Sequence, residues 1–170
     1  SLAEWLGPQV KLVRAMPNTP AMIQMGATGL YATAGVSEAE QQLAQQVMSA
    51  AGLVLWVDDE DLLHAVTAIS GSAPAYFFYM LENMIATGEK LGLTQTQATA
   101  LAMQTALGSA QMALTSHDTP AELRRKVTSP NGTTQAAIEV MDAKKMHQII
   151  ADAMLACEQR SRELSQAFGK

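Results

Sequence analysis

The sequence predicts a short α/β segment followed by a longer all-helical region, so that the chain is mainly α-helical overall. Two observations lead to this fold class. Up to residue 57, strand-like and helix-like stretches alternate, as they do in α/β sheets. From residue 58 onward, apolar side chains recur at helical spacing and no convincing strand follows. We therefore divide the chain into residues 1–57, the end of an α/β sheet, and residues 58–170, a helical domain.

The first region reads as strand, strand, helix and strand. The turn Pro-Asn-Thr-Pro at residues 17–20 ends the first strand. Ser37 and Glu40 have the spacing of a capping box, which opens a helix that Gly52 stops. The third strand is apolar throughout, so we expect it to be covered on both faces. The three predicted strands are residues 11–16, 28–33 and 53–57.

The second region contains only helices. The helix at residues 74–91 is nearly apolar, so we expect it to be buried in a larger core or against a partner. Small residues at 106–110 favour close packing of the helix that begins after the Thr94 cap. The predicted helices are residues 60–69, residues 74–91, one from Thr94 to about residue 115, one capped by Thr119, a short one after the turn at 129–134, and one over 143–168. The last helix carries an apolar stripe at Met146, Ile149, Ile150, Ala153, Met154, Cys157, Leu164 and Phe168.

Composition argues against several kinds of partner. The net charge is −5 and no block of basic residues occurs, so we expect neither a nucleic-acid nor a membrane partner. The longest apolar run, residues 73–81, is too short to cross a bilayer. The single cysteine, Cys157, cannot form an internal disulfide, which favours a reducing, cytoplasmic setting; we interpret it as a small buried hydrophobe. The three histidines lack partners at metal-ligand spacing, so no metal site is predicted.

Residues 127–134 (Val-Thr-Ser-Pro-Asn-Gly-Thr-Thr) form the most informative motif. Gly132 can adopt a backbone conformation that most residues cannot, and Thr133 or Thr134 can cap the helix that follows. These hydroxyls and the free N–H groups of the first helical turn can bind a small anion such as a carboxylate. The local chemistry fits both interpretations, a simple helix cap and an anion site.

Two other turns have the same double interpretation. Residues 70–74 (Ser-Gly-Ser-Ala-Pro) break one helix and start the next, or they bring N–H groups and two hydroxyls to a ligand. Thr67, one turn earlier, can point its hydroxyl at the same cavity. Residues 16–20 are a proline-rich turn, or a loop at the strand end where ligands of α/β sheets bind. No two glycines are separated by one residue, so the dinucleotide fingerprint is missing.

Three segments together resemble the pyrroline-5-carboxylate reductase family in their order and spacing: residues 13–20, 65–76 and 123–142. The resemblance covers nearly the whole chain, and residues 127–134 are its most specific part. It implies a Rossmann domain, of which residues 1–57 are the last part, followed by an all-helical dimerisation domain. We expect the glycine-rich first part of such an enzyme to precede this chain, and we expect the chain alone to be inactive.

The resemblance implies reduction of 1-pyrroline-5-carboxylate to L-proline with NADPH or NADH, the last step of proline biosynthesis. It also implies a homodimer, or a higher oligomer built from dimers, with the helix at 74–91 and the stripe of the last helix as candidate contact surfaces. A threonine is too weak an acid to be the sole proton source, so we expect Thr67 to orient a substrate already protonated in solution. The implied roles are catalysis by Thr67, substrate binding by Ser72, Ser129, Thr133 and Thr134, and cofactor binding by Met16, Pro17, Asn18 and Glu60.

The chain departs from the family at Ala73 and Asn131, where glycine is usual. Asn tolerates the left-handed conformation, so Asn131 is a mild change, whereas Ala73 adds a methyl group beside a ligand. Two other hypotheses stay open. One is a helical oligomerisation module without catalysis, whose hydroxyl-rich turns are only caps. The other is a Rossmann-linked dehydrogenase acting on hydroxyacids, which usually needs a Lys or His acid; Lys126 and His117 are the candidates.

Overall fold

The computed structural model of the protein describes Gly7 and residues 10–168, apart from the side chain of Phe168. That stripe residue therefore lies outside the described side chains. The strands are β1 (Val13–Met16), β2 (Gly26–Ala32) and β3 (Gly52–Trp56). The helices are α1 (Glu38–Ser49), α2 (Leu62–Val66), α3 (Ala73–Lys90), α4 (Gln95–Thr115), α5 (Pro120–Lys126), α6 (Thr133–Ala143) and α7 (Met146–Phe168). A short 3₁₀ helix (Thr19–Ile23) follows β1, and a π-helix (Thr67–Gly71), hereafter the π-turn, joins α2 to α3. This order confirms the predicted fold class.

The sheet has β2 in its centre, antiparallel to β1 and parallel to β3. Met16 at the end of β1 pairs with Gly29, the middle residue of β2, so the carboxyl end of β1 lies beside the middle of its neighbour. The prediction that Gly52 stops α1 is wrong. The helix ends at Ser49 with a right-handed cap, and Gly52 instead begins β3 at a φ of 140°. A Cβ atom there would lie 2.2 Å from the Gly26 carbonyl oxygen, so only glycine fits.

Three predicted capping boxes are present. Ser37, Thr94 and Thr119 each accept a hydrogen bond from the backbone N–H three residues later, and the Glu or Gln side chain at that position bonds back. Helices α1 and α4 therefore begin where the sequence predicted. Helix α5 also begins after its predicted cap and has Pro120 in its first turn. These starts are set by residues adjacent in sequence.

The described residues form two compact units. One contains the chain up to Tyr76 together with the chain from Ala151 onward, and the other is Phe77–Ile150. The first unit thus contains the sheet, α1, α2, the π-turn and the carboxyl-terminal part of α7. The boundary predicted near residue 57 follows the change of pattern along the chain and stays a prediction.

Within the first unit, α2 lies directly on β2 because Gly29 has no side chain. A Cβ atom on Gly29 would lie 2.8 Å from a methyl carbon of Val66. Leu63 of α2 is almost fully buried, and Leu30, which follows Gly29 in β2 and so points to the opposite face of the sheet, is fully buried. The carboxyl-terminal part of α7 is joined to α2, because His64 Nδ1 lies 2.7 Å from Ser161 Oγ and Arg162 pairs with Asp61.

The expectation that β3 is covered on both faces is wrong for this chain. Helix α1 covers one face, where the Trp56 indole N–H donates to Gln45 at 2.8 Å. On the other face, Leu53 and Leu55 are each 60% exposed. The exposure alternates along the strand, so a uniformly apolar strand here has only one packed face among the described residues.

Within the second unit, α3 and α4 touch through small residues. A Cβ atom on Gly88 would lie 3.0 Å from the Cβ of Ala98, and Ala98 and Ala102 are buried. The small residues at 106–110, predicted to favour close packing of α4, are not the ones that form this contact. Gly108 has no neighbouring atom within 4 Å of an added Cβ, so the close approach occurs nearly three turns earlier on α4, at Ala98.

Helix α3 leaves its large apolar side chains outside the protein's own core. Its single buried residue is Ala73, while Phe77 and Phe78 are each 64% exposed. Of the two expectations for this helix, burial in a larger core of the chain is therefore wrong. The other expectation, burial against a partner, stays a prediction.

Candidate functional site

The first group of candidate residues surrounds the π-turn. The N–H of Ser72 donates to the carbonyl of Thr67 at 2.8 Å, five residues back, which is the spacing of a π-helix. The Ser70 hydroxyl supports this widened turn by donating to the Val66 carbonyl at 2.9 Å. Short π-helical segments are rare and occur often at functional sites. The sequence predicted a plain helix break here, and the π-turn is a refinement that it did not foresee.

Thr67, the predicted catalytic residue, lies at the start of the π-turn. Its hydroxyl donates to the carbonyl of Leu63 at 2.8 Å, and the residue is half-buried. Since a hydroxyl has one proton and two lone pairs, this bond leaves only the acceptor capacity of the oxygen for a ligand. The Thr67 oxygen can therefore accept a further hydrogen bond, while its own proton is engaged by the Leu63 carbonyl.

Three predicted cofactor residues lie at the end of β1, next to the π-turn. Met16 is half-buried, and its methyl carbon would lie 2.6 Å from a Cβ atom on Gly71, so this glycine makes room for it. Pro17 is exposed. Asn18 donates from Nδ2 to the Ser70 carbonyl at 3.1 Å and accepts from the Ala27 N–H at 2.9 Å. Both functional groups of the Asn18 side chain are thus already engaged inside the protein.

Glu60, the fourth predicted cofactor residue, lies just before α2. Its carboxylate forms an ion pair with Arg14 of β1 at 2.8 Å, and both side chains are close to half exposed. An exposed pair of this kind contributes little to stability. It does place a carboxylate and a guanidinium together on the surface beside β1.

Ser72 belongs to a small polar cluster with Cys157 and Tyr76. The Cys157 thiol donates to the Ser72 hydroxyl at 3.2 Å. The Tyr76 hydroxyl is enclosed beside them and meets no partner in hydrogen-bonding geometry among the described residues. Burial raises the pKa of Tyr76 to about 12, and the neighbouring Cys157 raises it as well. Cys157, interpreted from the sequence as a small buried hydrophobe, is half-buried and also donates to a hydroxyl group.

The second group of candidate residues lies in the other compact unit, at the start of α6. Gly132 is the residue that caps this helix, with an extended backbone and no side-chain hydrogen bond to the first turn. The prediction that Thr133 or Thr134 caps the helix is therefore wrong. Both threonines already have helical backbone conformation, because the turn places the cap one residue earlier. Both threonines are exposed, and no side chain caps the N–H groups of the first turn.

The turn before α6 is built by local bonds. Ser129 accepts a hydrogen bond from the Gly132 N–H at 3.0 Å through its carbonyl, which leaves its exposed hydroxyl outside the turn. Asn131 has a φ of 58°, the left-handed conformation expected for a position where glycine is usual. Gln135 accepts from the Asn131 N–H at 2.8 Å and fixes the turn to the helix.

The acid candidates of the hydroxyacid hypothesis are His117, in the loop between α4 and α5, and Lys126, the last residue of α5. The Lys126 ammonium pairs with Asp118, and this contact holds the pKa of the Asp118 carboxyl below its usual range. His117 is exposed. The ammonium of Lys126 is thus engaged by a carboxylate of its own unit, which does not favour it as a free acid.

The structure therefore brings Met16, Asn18, Thr67 and Ser72 into one compact unit, and it places Ser129, Thr133 and Thr134 in the other. Sequence reasoning missed Tyr76 as a polar residue of interest. The signal was available, since Tyr76 follows Ser72 by one helical turn and is a hydroxyl in a nearly apolar helix. Within the described part of the chain, no three His, Cys, Asp or Glu side chains converge as metal ligands would. None of the described helices combines the length and apolar character needed to span a bilayer.

Comparison with known proteins agrees with the resemblance seen in the sequence. Residues 60–164 match the family model described as pyrroline-5-carboxylate reductase dimerisation. Pyrroline-5-carboxylate reductase of Pseudomonas aeruginosa is 54% identical over 170 residues, which is 100% of this chain and 62% of that protein. The Haemophilus influenzae protein of the same name is 45% identical over 163 residues, 95% of this chain and 60% of its own length. The chain thus spans about three fifths of these relatives.

Solved structures give the same result. A pyrroline-5-carboxylate reductase from Coxiella burnetii superimposes with a TM-score of 0.92 at 43% identity, covering 96% of this chain and 60% of that one. The Plasmodium falciparum pyrroline carboxylate reductase, solved with NADP bound, gives a TM-score of 0.90 at 26% identity, covering 95% and 64%. The family model alone spans more than half of the chain. The protein belongs to the pyrroline-5-carboxylate reductase family.

Proposed function

We propose that this chain is the substrate-binding and dimerisation part of an enzyme that reduces 1-pyrroline-5-carboxylate to L-proline, the last step of proline biosynthesis. The observation that carries the proposal is the start of α6. There Gly132 takes the cap position, so that the hydroxyls of Thr133 and Thr134 and the first-turn N–H groups are left for an outside acceptor. A carboxylate is the ligand that such a helix start prefers, because its charge is opposite to the positive end of the helix dipole.

On the first unit, we assign Thr67 and Ser72 to the imine end of the substrate from the contacts of that unit alone. Because the Thr67 proton is directed to the Leu63 carbonyl, its oxygen can accept a hydrogen bond from the N–H of a protonated imine. In this role Thr67 holds the ring nitrogen in place, while the proton comes with the substrate. Ser72 accepts from the Cys157 thiol, so its own proton is free for a substrate atom. Orientation of this kind accounts for large rate effects without any strong acid.

The residues present fit the nicotinamide end of NADPH or NADH. Met16 and Pro17 form an apolar edge at the end of β1, and the missing side chain of Gly71 keeps Met16 against the π-turn. The cofactor, when bound, supplies the hydride that reduces the C=N bond. The sequence has no glycine-rich fingerprint, so the phosphates of the cofactor would need residues other than these. Glu60 with Arg14 offers polar contacts beside the same strand.

We further propose a homodimer, or a higher oligomer of dimers, in a cytoplasmic setting. The exposure of large apolar side chains on α3 and α4 supports the proposal that these helices pack against a second chain. Phe78 and Tyr79 are 64% and 69% exposed, while the buried residues of α4 are only Ala98 and Ala102. Exposure of so much apolar surface is unusual for a monomer. The name of the matched family model, which refers to dimerisation, agrees with this proposal.

The test is a steady-state assay of the full-length protein with 1-pyrroline-5-carboxylate and NADPH or NADH. Thr134→Val removes one hydroxyl from the start of α6 while keeping the side-chain volume. A hydrogen bond to a charged group contributes about 1.5–3 kcal/mol, so KM should rise about tenfold to a hundredfold. Thr134→Ser keeps the hydroxyl and should stay close to the wild type.

The non-catalytic alternative makes a different prediction. If the chain is only an oligomerisation module, the full-length protein will not oxidise either cofactor with this substrate. Proline at millimolar concentration will then leave the melting temperature unchanged, and Thr134→Val will melt like the wild type. Any shift that rises with proline concentration and disappears in Thr134→Val supports the carboxylate site, since ligands stabilise the state that binds them.

A further inference from the structure

Asn18 connects three elements that the proposed function needs to keep in register. It lies between β1 and the 3₁₀ helix, at the edge assigned to the nicotinamide. Its Nδ2 donates to the Ser70 carbonyl in the π-turn at 3.1 Å, and its Oδ1 accepts from the Ala27 N–H at the start of β2 at 2.9 Å. Both bonds are partly buried, and the first joins residues 52 positions apart.

The obvious local role for Asn18 does not apply. As the residue before the 3₁₀ helix it could cap that helix, yet its side chain makes no capping hydrogen bond. Its oxygen instead reaches across to Ala27. The carboxamide orientation is also determined, because a rotated amide would place oxygen against the Ser70 carbonyl and N–H₂ against the Ala27 N–H.

The Ser70 carbonyl needs a hydrogen-bond donor from outside its own helix, and the Asn18 amide is that donor. A π-turn interrupts the regular helical ladder, and carbonyl groups next to it need partners from elsewhere. Asn18 supplies that partner. A second contact supports the same alignment, since Met16 lies where a side chain on Gly71 would be, 2.6 Å from an added Cβ.

We propose that Asn18 is a positioning residue that acts through Thr67 and Ser72, rather than a side chain that binds the cofactor. By holding the π-turn against the Met16–Asn18 edge, it sets where the two substrate hydroxyls stand relative to that edge. The proposal rests on the proposed function for its catalytic consequence. Its structural part, that Asn18 holds the π-turn, stands independently.

The sharpest variant is Asn18→Asp in the full-length protein. It keeps the volume and the acceptor for Ala27, but it loses the donor to Ser70. Misplacement of reacting groups by about 1 Å can reduce turnover by about a hundredfold, so kcat should fall about tenfold to a hundredfold. KM for the cofactor should change less than about threefold, because the Asn18 side chain makes no cofactor contact in this proposal.

A matched control is Gln45→Leu, which removes the hydrogen bond from Trp56 at 2.8 Å in the same unit. It deletes one side-chain bond between elements, away from the π-turn, and should leave kcat and both KM values unchanged. If Asn18→Asp loses activity only through KM for the cofactor, Asn18 is a cofactor contact and the proposal fails. It fails equally if kcat is that of the wild type.

Hydrogen exchange separates this proposal from the proposed function. The Ser72 N–H donates to Thr67 within the π-turn, so its exchange reports whether the turn is held. In Asn18→Asp the peptide containing residues 67–72 should exchange about tenfold faster, while Gln45→Leu leaves it unchanged. Unaltered exchange in Asn18→Asp overturns the proposal whatever the wild type catalyses. Faster exchange supports it even if the wild type fails to reduce 1-pyrroline-5-carboxylate, a result that would count against the proposed function alone.

Discussion

The thiol of Cys157 donates a hydrogen bond to the hydroxyl of Ser72 at 3.2 Å, which joins the last helix to the turn before α3. The two residues are 85 positions apart, and Tyr76 is enclosed beside them. A cluster of three weakly polar groups in a partly buried site depends on each of its members. It therefore makes α7 part of the support of the π-turn region.

Tyr76 should make the protein sensitive to alkali. Its folded-state pKa is raised to about 12 from 10.0, chiefly by burial. A raised pKa favours the protonated form in the folded state, so the associated stability is complete below pH 10 and is lost as the pH rises toward about 12. Urea midpoints between pH 9 and about 11.5 should fall more steeply for the wild type than for Tyr76→Phe.

The ionisation of Tyr76 can be followed directly with tyrosine labelled at the ring carbon next to oxygen. The resonance missing from Tyr76→Phe identifies it. Titration of that resonance near pH 10 in the folded protein would show that the hydroxyl is not enclosed as described.

Glu40 should contribute to acid sensitivity at the start of α1. The Ser37 N–H, together with Lys11, lowers its pKa from 4.5 to about 2. A depressed pKa gives stability that is present above pH 4.5 and is lost as the pH falls toward about 2. In Glu40→Gln the decline of the urea midpoint between pH 5 and about 2 should be shallower, because the amide keeps the capping geometry without titrating. Parallel declines in the two proteins would rule out this contribution.

Gly52 should tolerate no side chain. Its φ is 140°, and an added Cβ would lie 2.2 Å from the Gly26 carbonyl oxygen in the neighbouring strand. Gly52→Ala should therefore cost more than about 3 kcal/mol, the sum of backbone strain and a forced shift of β2. Gly35→Ala is the matched control, since Gly35 has a φ of 92° and nothing within 4 Å. It should cost only about 1–2 kcal/mol. Equal losses in urea denaturation would show that the contact with Gly26 relaxes freely.

Phe78 should be required for association. It is 64% exposed on α3, and its replacement by Glu places a charge on the apolar surface proposed to meet a partner. Light scattering of Phe78→Glu should give the mass of one chain where the wild type gives two or more. Gln46→Glu, an exposed change of the same charge on α1, should not alter the mass. A wild type that is already monomeric at micromolar concentration would contradict the proposed dimer.

Most element positions could be predicted because the signals that set them are local. Ser37, Thr94 and Thr119 mark helix starts by chemistry within four residues, and each capping box is present in the structure. The left-handed conformation at Asn131 follows in the same way from its place in a tight turn. The predicted site residues were likewise found as turn motifs, although their roles remain predictions.

The predictions that were wrong concern features set by residues far apart in the sequence, or by a shift of a single residue. The cap of α6 is Gly132 rather than a threonine, a difference of one residue that the local chemistry does not fix. The exposure of Leu53 and Leu55 could not be deduced from an apolar run, because burial is a property of the neighbours that are present. Within this chain α4 buries Ala98 and Ala102, whereas close packing at the small residues 106–110 stays a prediction.

The sequence by itself determined the order of strands and helices, the helix starts and the family, since all of these are written in residues close together. Only the tertiary structure decided which groups of the protein the polar side chains form hydrogen bonds with. The bond from Asn18 to Ser70 spans 52 positions and that from Cys157 to Ser72 spans 85, so both exist only once the chain has folded back on itself. Hydrogen bonds are directional and short-ranged, and no pattern along a chain specifies which distant groups will meet within hydrogen-bonding distance.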